Sequence, residues 1–410
     1  MAPLTRARAP AAQAPALLDA LARAPAAAAL VVAALDQLED RKALRLVHTQ
    51  LQDAVGEATT TLEVDFAVPD PARTPTPRRW PRLEALTMRG PDLAALEALG
   101  AETWDRLRAV NIGVPNSPTA LDAPAARALA AALRRMPALR ALGLWTEPIS
   151  DEEAAELFGA EGAAPGLRRL AIHGAELMQA AAGALAATGW PLEELELRNN
   201  NHITVAGLEA LGAAPTLALR RLVLTGCVLN SDHLLNIANA PRWPLEELDL
   251  SCNNYSAAGV GHALAALSQH AGLRKLDLGI CKINAAAFKA LVEAVWPALT
   301  LLSAHRAKAA FDGPHALGAA AFAGFPALEE LQLAGVKLGE AGAALLASRR
   351  WARLQTLNLD RCWIYDAGLA ALVRAAWPAL AWLRLRDNGL TAQALWDARR
   401  RAPALVSVLR

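Results

Sequence analysis

Apolar residues recur along this chain in one wording, L-x-x-L-x-L, with other residue types at the intervening places. Within Trp243–Ile283 the wording occurs twice, as Leu245, Leu248, Leu250 and as Leu273, Leu276, Leu278. The alternation predicts a short strand whose leucines share one face while the intervening residues share the other. An Asn or Cys after each core predicts a turn, because its side chain can bond the backbone groups left unpaired there. The stretch that follows, for example Asp366–Val373, is Ala- and Leu-rich with helical spacing. First core leucines fall at Leu83, Leu107, Leu139, Leu167, Leu192, Leu219, Leu245, Leu273, Leu299, Leu328, Leu354, Leu380 and a fading Leu405. The mean spacing is about 27 residues, which is the period of a stacked strand–helix repeat.

This pattern predicts an α/β solenoid: a curved parallel sheet on the concave side, helices on the convex side, and about 12–13 repeats over residues 80–410. Two repeats are long. Leu107–Leu139 carries an insertion, GVPNSPTALDAP, and Leu299–Leu328 carries a looser loop from His305 to His315. Both are expected on one rim, where insertions meet partners. Residues 1–24 are rich in Ala, Pro and Arg and read as a disordered tail. Over 25–58 the spacing is helical, with Leu30, Val31, Leu35 and Leu38 on one face and Leu44, Val47, Leu51 and Val55 on another. Residues 60–66 alternate as a strand, and 67–79 contain four prolines and read as an extended linker. Residues 25–66 thus supply a small helical cap and a first strand.

Composition narrows the picture. The formal net charge is +1, so no global field points to nucleic acid, a membrane surface or an acidic substrate. The longest uninterrupted apolar run, Ala26–Leu35, is far short of the ~20 residues that span a bilayer. The start lacks a secretory pattern, so a cytoplasmic protein is expected, with the nucleus and cytoskeleton or axoneme as other compartments. Seven tryptophans (Trp80, Trp104, Trp190, Trp243, Trp296, Trp351, Trp377) lie just before a core Leu and read as plugs at the helix end. Cys227, Cys281 and Cys362 each follow the last core Leu by three residues and share one slot, so they read as buried thiols rather than disulfide partners. No phosphate loop, nucleophile elbow or metalloprotease helix is present, and no His stands at metal-ligand spacing from the cysteines. The expectation is no enzyme, no cofactor and no metal.

The informative positions are those expected on the concave face. Trp145 and His173 would offer aromatic surface near one end, Glu196 and Arg198 follow, and Asp249 with Asp277 would form an acidic centre lacking a partner. Asp360, Arg384 and Arg386 close the far end. The expected partner is a protein.

The repeat length, the Cys in the Asn slot and the D-x-G-L-x-x-L helix start resemble the cysteine-containing and ribonuclease-inhibitor-like leucine-rich repeats. Leu44-Arg-Leu-Val-His-Thr-Gln-Leu51 resembles the second half of an F-box, with His48 in place of the usual Cys and Leu51 in place of the Trp. The combination is similar to F-box/leucine-rich-repeat proteins, substrate receptors of cullin-type ubiquitin ligases. That resemblance implies a Skp1-type adaptor held through residues 25–58 by Leu44, Val47 and Leu51, and a substrate on the concave face. Repeats of this type also resemble scaffolds of cytoskeletal and ciliary (axonemal) assemblies, which is the rival expectation.

Overall fold

The repeated leucines form strands because alternate side chains can all be buried only in an extended backbone, and each strand is short because the core is only three apolar positions long. A computed structural model describes residues 60–66, 75–115, 117–159, 163–177, 179–240, 242–257, 259–307 and 317–401. The expected tail and helical cap, with Leu44, Val47 and Leu51, lie outside the described residues, as do most of the 67–79 linker, most of the His305–His315 loop and the core at Leu405. Backbone packing divides the described chain after Trp145, with residues 163–166 grouped with the first part.

The first unit holds four parallel strands in chain order: β1 (Thr61–Asp65), β2 (Ala85–Arg89), β3 (Ala109–Ile112) and β4 (Ala141–Trp145). Between them run helices α1 (Leu93–Leu99) and α2 (Ala123–Arg134). Register pairs Leu86 with Val110 and Val110 with Leu142, all buried. Asp92 and Asp122 start the two helices by accepting a backbone N–H three residues on, the bond that an N-cap supplies.

The second unit repeats the scheme more strictly. Helix α3 (Asp151–Phe158) precedes β5 (Arg169–His173), and α4 (Gln179–Ala187), β6 (Glu194–Arg198), α5 (Val205–Ala213), β7 (Arg221–Val223) and α6 (Ser231–Ala238) follow. Next come β8 (Glu247–Asp249), β9 (Asn254–Tyr255), α7 (Val260–Ala266), β10 (Lys275–Asp277), β11 (Lys282–Ile283) and α8 (Ala285–Glu293). The series ends with β12 (Leu301–Ser303), β13 (Glu330–Gln332), α9 (Gly339–Ala347), β14 (Thr356–Asn358), α10 (Tyr365–Arg374), β15 (Trp382–Arg384) and α11 (Ala392–Arg401). Strands β5, β6, β7, β8, β10, β12, β13, β14 and β15 pair in that order, all in parallel, and β9 pairs with β11 as a separate two-stranded ladder. One leucine ladder, Leu170–Leu195–Leu222–Leu248–Leu276–Leu302–Leu331–Leu357–Leu383, runs through the main sheet, every rung buried. Together with the strand–helix alternation, this makes the fold the leucine-rich-repeat solenoid that the spacing predicts.

In the second unit the turn after a strand is held by an Asn or Cys at residues 200, 227, 253, 281, 362 and 388, while Ala or Val fills that slot at 175, 307 and 336. Asn253 donates through Nδ2 to the carbonyls of Leu224 and Leu250 and accepts from the N–H of Cys227 and Leu229. Cys227, Cys281 and Cys362 stand in the same slot and donate their thiols to the carbonyls of Leu197, Leu250 and Leu333, in the preceding repeat, at 2.8, 3.3 and 3.1 Å. The residue just before the slot is left-handed throughout: φ lies near +55 to +60° at Asn199, Cys252, Ile280, Arg306, Arg361 and Asp387, and glycine takes the place at residues 174, 226 and 335.

Of the seven slot tryptophans, Trp104, Trp190, Trp243, Trp296 and Trp351 are buried, and Trp80 and Trp377 are half-buried. Trp104, Trp296, Trp351 and Trp377 each donate Nε1–H to a carbonyl five residues earlier, that of the last core Leu of the preceding helix. Trp243 makes no such bond. One additional residue separates it from the equivalent Ile237, whose carbonyl accepts instead from His270 Nε2 at 2.8 Å, and the Trp243 indole N–H is buried without a partner.

Candidate partner-binding face

The period of two that buries the leucines places three rows of residues on the opposite sheet face. In the second unit the row between the second and third core positions reads Ala171, Glu196, Val223, Asp249, Asp277, Ser303, Gln332, Asn358, Arg384, each in register with the next. Glu196, Asp249, Asp277 and Arg384 therefore share one row, while His173, Arg198, Asp360 and Arg386 stand two residues further along their chains, on the same face. In the first unit the corresponding row is Thr87, Asn111, Gly143, with Trp145 two residues after Gly143.

Trp145 is half-buried, and its ring lies back over Gly143: a Cβ added there would sit 2.7 Å from Cζ3 of the indole. The side-chain amide of Asn111, donating to Thr87 Oγ1 at 3.2 Å, borders the same gap. A glycine in mid-strand forgoes side-chain packing, and here the space is taken by the indole.

In the second unit the polar side chains are bonded to one another. Arg221 pairs with Glu196, and Arg198 Nε donates to Glu196 Oε2 at 3.2 Å. Arg198 Nη1 also donates to Thr225 Oγ1 at 3.2 Å and lies 3.8 Å from Asp249 Oδ2. Asp249 accepts in addition from Thr225 Oγ1 at 3.1 Å and from Ser251 Oγ at 2.6 Å. Burial alone would push the Glu196 carboxyl up, but Arg221 and Arg198 together hold it below its ordinary value. Burial likewise pulls Arg221 down, and Glu196, with help from Glu194 and Glu247, more than reverses this. Burial lowers His173; Glu196 opposes the shift and Arg198 adds to it.

The expectation of an acidic centre lacking a partner is thereby corrected at Asp249, while Asp277 has no ion pair among the described residues. Asp249 is compensated by Thr225, Ser251 and Arg198, and Asp277 accepts from the Gly279 N–H at 2.7 Å. At the far end Asp360 is nearly buried, holding Arg384 Nη2 at 2.6 Å and the backbone N–H of Arg386 at 2.8 Å. Outward register does not guarantee exposure either: Val223, Ser303 and Asn358 are buried on this face.

Sequence reading missed the third outward row, Arg169, Glu194, Arg221, Glu247, Lys275, which forms cross-strand pairs: Arg169–Glu194 at 2.9 Å, Arg221–Glu247 at 3.4 Å and Lys275–Glu247 at 2.5 Å. The signal stands in the sequence as a doublet inside successive cores: Leu167-Arg-Arg-Leu, Leu192-Glu-Glu-Leu, Leu219-Arg-Arg-Leu, Leu245-Glu-Glu-Leu, Leu273-Arg-Lys-Leu. Among the described residues no group of three or more His, Cys, Asp or Glu side chains is placed to hold a metal, and no helix is long and apolar enough to cross a membrane.

A leucine-rich-repeat family model matches residues 191–212 and 354–373. No curated protein matches the chain. Among solved structures, the TLR13–ssRNA13 complex is 20% identical with a TM-score of 0.46, covering 76% of this chain and 43% of that one, so this chain spans less than half of that protein's length. An internalin from Listeria monocytogenes is 14% identical with a TM-score of 0.40, over 81% of this chain and 74% of that one. The yeast Rad7–Elc1 complex gives 17% identity and a TM-score of 0.41, over 76% and 78%.

Proposed function

We propose that this chain is a non-enzymatic binding solenoid that presents its outward sheet face to another protein. The observation that supports this reading is that the face is polar, broad and internally bonded. The side chains of Glu196, Arg198, Arg221, Thr225, Asp249 and Ser251 are fixed by one another. A partner meeting them finds groups whose rotamers are already set, which lowers the ordering cost of association. Trp145, half-exposed on a strand, supplies the type of large rigid side chain that anchors interfaces. The finer proposal, a substrate receptor of a cullin-type ubiquitin ligase joined to a Skp1-type adaptor through residues 25–58, rests on the resemblance of Leu44–Leu51 to an F-box.

The test is affinity capture from source-cell extract with residues 1–410, residues 80–410 and full-length Trp145→Ala. Trp145→Ala is expected to lose a protein partner at least about tenfold while its thermal midpoint changes little, the signature of an interface anchor. A large fall in the midpoint with unchanged capture would make Trp145 a packing residue and remove it from the face. Recovery of the adaptor with 1–410 but not with 80–410 supports the ligase reading; its absence from both, beside an F-box control that retains it, ends that reading and leaves the binding solenoid standing.

A further inference from the structure

The second unit carries a socket on its outward face that the bonded network around Glu196 does not reach. Its floor is Ala334 and Gly335, the smallest pair at these two positions in any repeat from His305 to Asp387. Gly335 sits at φ +83°, so the turn is made there without a side chain. Backbone bonds align the four turns around it: Arg306 N–H to the Ala334 carbonyl, Gly335 N–H to that of Asp360, and Arg361 N–H to that of Arg386. Larger residues on both sides then wall off a cavity of about 490 Å³, a size within the usual range for ligand pockets.

The walls are cationic. Arg306, Arg361, Arg384 and Arg386 face two carboxylates, Asp360 and Asp387. Both carboxylates are engaged, Asp360 with Arg384 at 2.6 Å and Asp387 with Arg361 at 3.0 Å. Among the described residues the guanidinium groups of Arg306 and Arg386 make no ion pair, and both residues are exposed. Trp382 does not line the cavity but is half-exposed on the same face of β15, two residues before Arg384.

We propose that this socket binds an acidic segment of a protein partner, with Arg306 and Arg386 receiving its oxyanion and Trp382 covering a neighbouring apolar side chain. A guanidinium fork matches the two oxygens of a carboxylate or phosphate, so the shared chemistry is an oxyanion on a peptide, either glutamate/aspartate or a phosphorylated serine or threonine. The flanking indole favours a peptide over a free anion, which has no apolar part to place there. The inference rests on the proposed role of the face, but its test needs no natural partner, so the two can fail separately.

The experiment measures binding of labelled peptides to the full chain by fluorescence anisotropy: one alternating glutamate and leucine, one carrying phosphoserine in place of glutamate, and one alternating lysine and leucine. The acidic peptides are expected to bind and the lysine peptide not. Arg306→Ala combined with Arg386→Ala should weaken binding about tenfold, the loss of one charge-assisted bond or more, while Arg350→Ala, at an exposed arginine elsewhere, leaves it unchanged. Both target side chains are exposed and make no ion pair among the described residues, so thermal unfolding of the double variant should match wild type. Should it melt early, Ala334→Glu provides a second route by placing a carboxylate on the floor. Tighter binding of the phosphoserine peptide supports the inference with phosphate as the preferred source. Equal binding by variant and wild type, no binding of either acidic peptide, or competition by inorganic phosphate as effective as by peptide would overturn it.

Discussion

At the scale of single residues, one repeat slot is filled by two chemistries. Asparagine bonds five backbone groups at once, as Asn253 does, whereas cysteine supplies a single weak donor to the same carbonyl row. The thiol hydrogen is thus part of the turn, and ionisation removes it. Burial pushes Cys227 up to about 11 and Cys281 and Cys362 up to about 12, from an ordinary 9.0. In the unfolded chain these thiols lose protons near 9.0, while in the fold they keep them. The folded state therefore binds more protons above pH 9, and its stability must fall as pH rises from there toward 12. Urea titrations across that range should show the decline, and replacing all three with serine, which keeps a donor but does not titrate there, should make it shallower. An unchanged slope would mean that the thiols carry none of it. The slot was legible from spacing alone. The left-handed residue before it was not, because Asn, Cys, Ile, Arg, Asp and Gly all occupy it, and the shared property is a φ angle rather than a side chain.

At the scale of elements, the strands are specified twice. The buried leucine ladder fixes which face points inward, but a run of identical leucines discriminates poorly between neighbouring strands. The charge doublets on successive strands alternate in sign from Arg168–Arg169 through Glu193–Glu194, Arg220–Arg221 and Glu246–Glu247 to Arg274–Lys275, so each of the three inner strands faces opposite charge on both sides. Cross-strand opposite charges contribute roughly 0.2–1 kcal/mol each, and like charges cost a similar amount. Glu247→Lys would set a cation between Arg221 and Lys275 and should destabilise the chain by about 1–2 kcal/mol, less at high salt because these groups are partly exposed. A loss that does not respond to salt would point to packing rather than charge. This device was legible in the sequence. The partners of Asp249 were harder to see, because Arg198, Thr225 and Ser251 come from different repeats or rows, and the charge of an aspartate says nothing about which hydroxyls reach it.

At the scale of the molecule, a stack of repeats makes its contacts within a repeat and between neighbouring repeats. Each leucine rung touches the rungs before and after it, so the effect of a cavity should decay along the stack rather than spread through a common core. Leu276 lies in the middle of the second unit's ladder, fully buried between Leu248 and Leu302. Leu276→Ala should cost roughly 2–5 kcal/mol, as truncation of buried leucines does. Hydrogen exchange then distinguishes a stack from a single cooperative core. Amides of β8, β10 and β12 should lose protection most and β5 less, while β2 and β3 of the first unit should keep wild-type protection. Uniform loss across both units would show that the chain opens as one body.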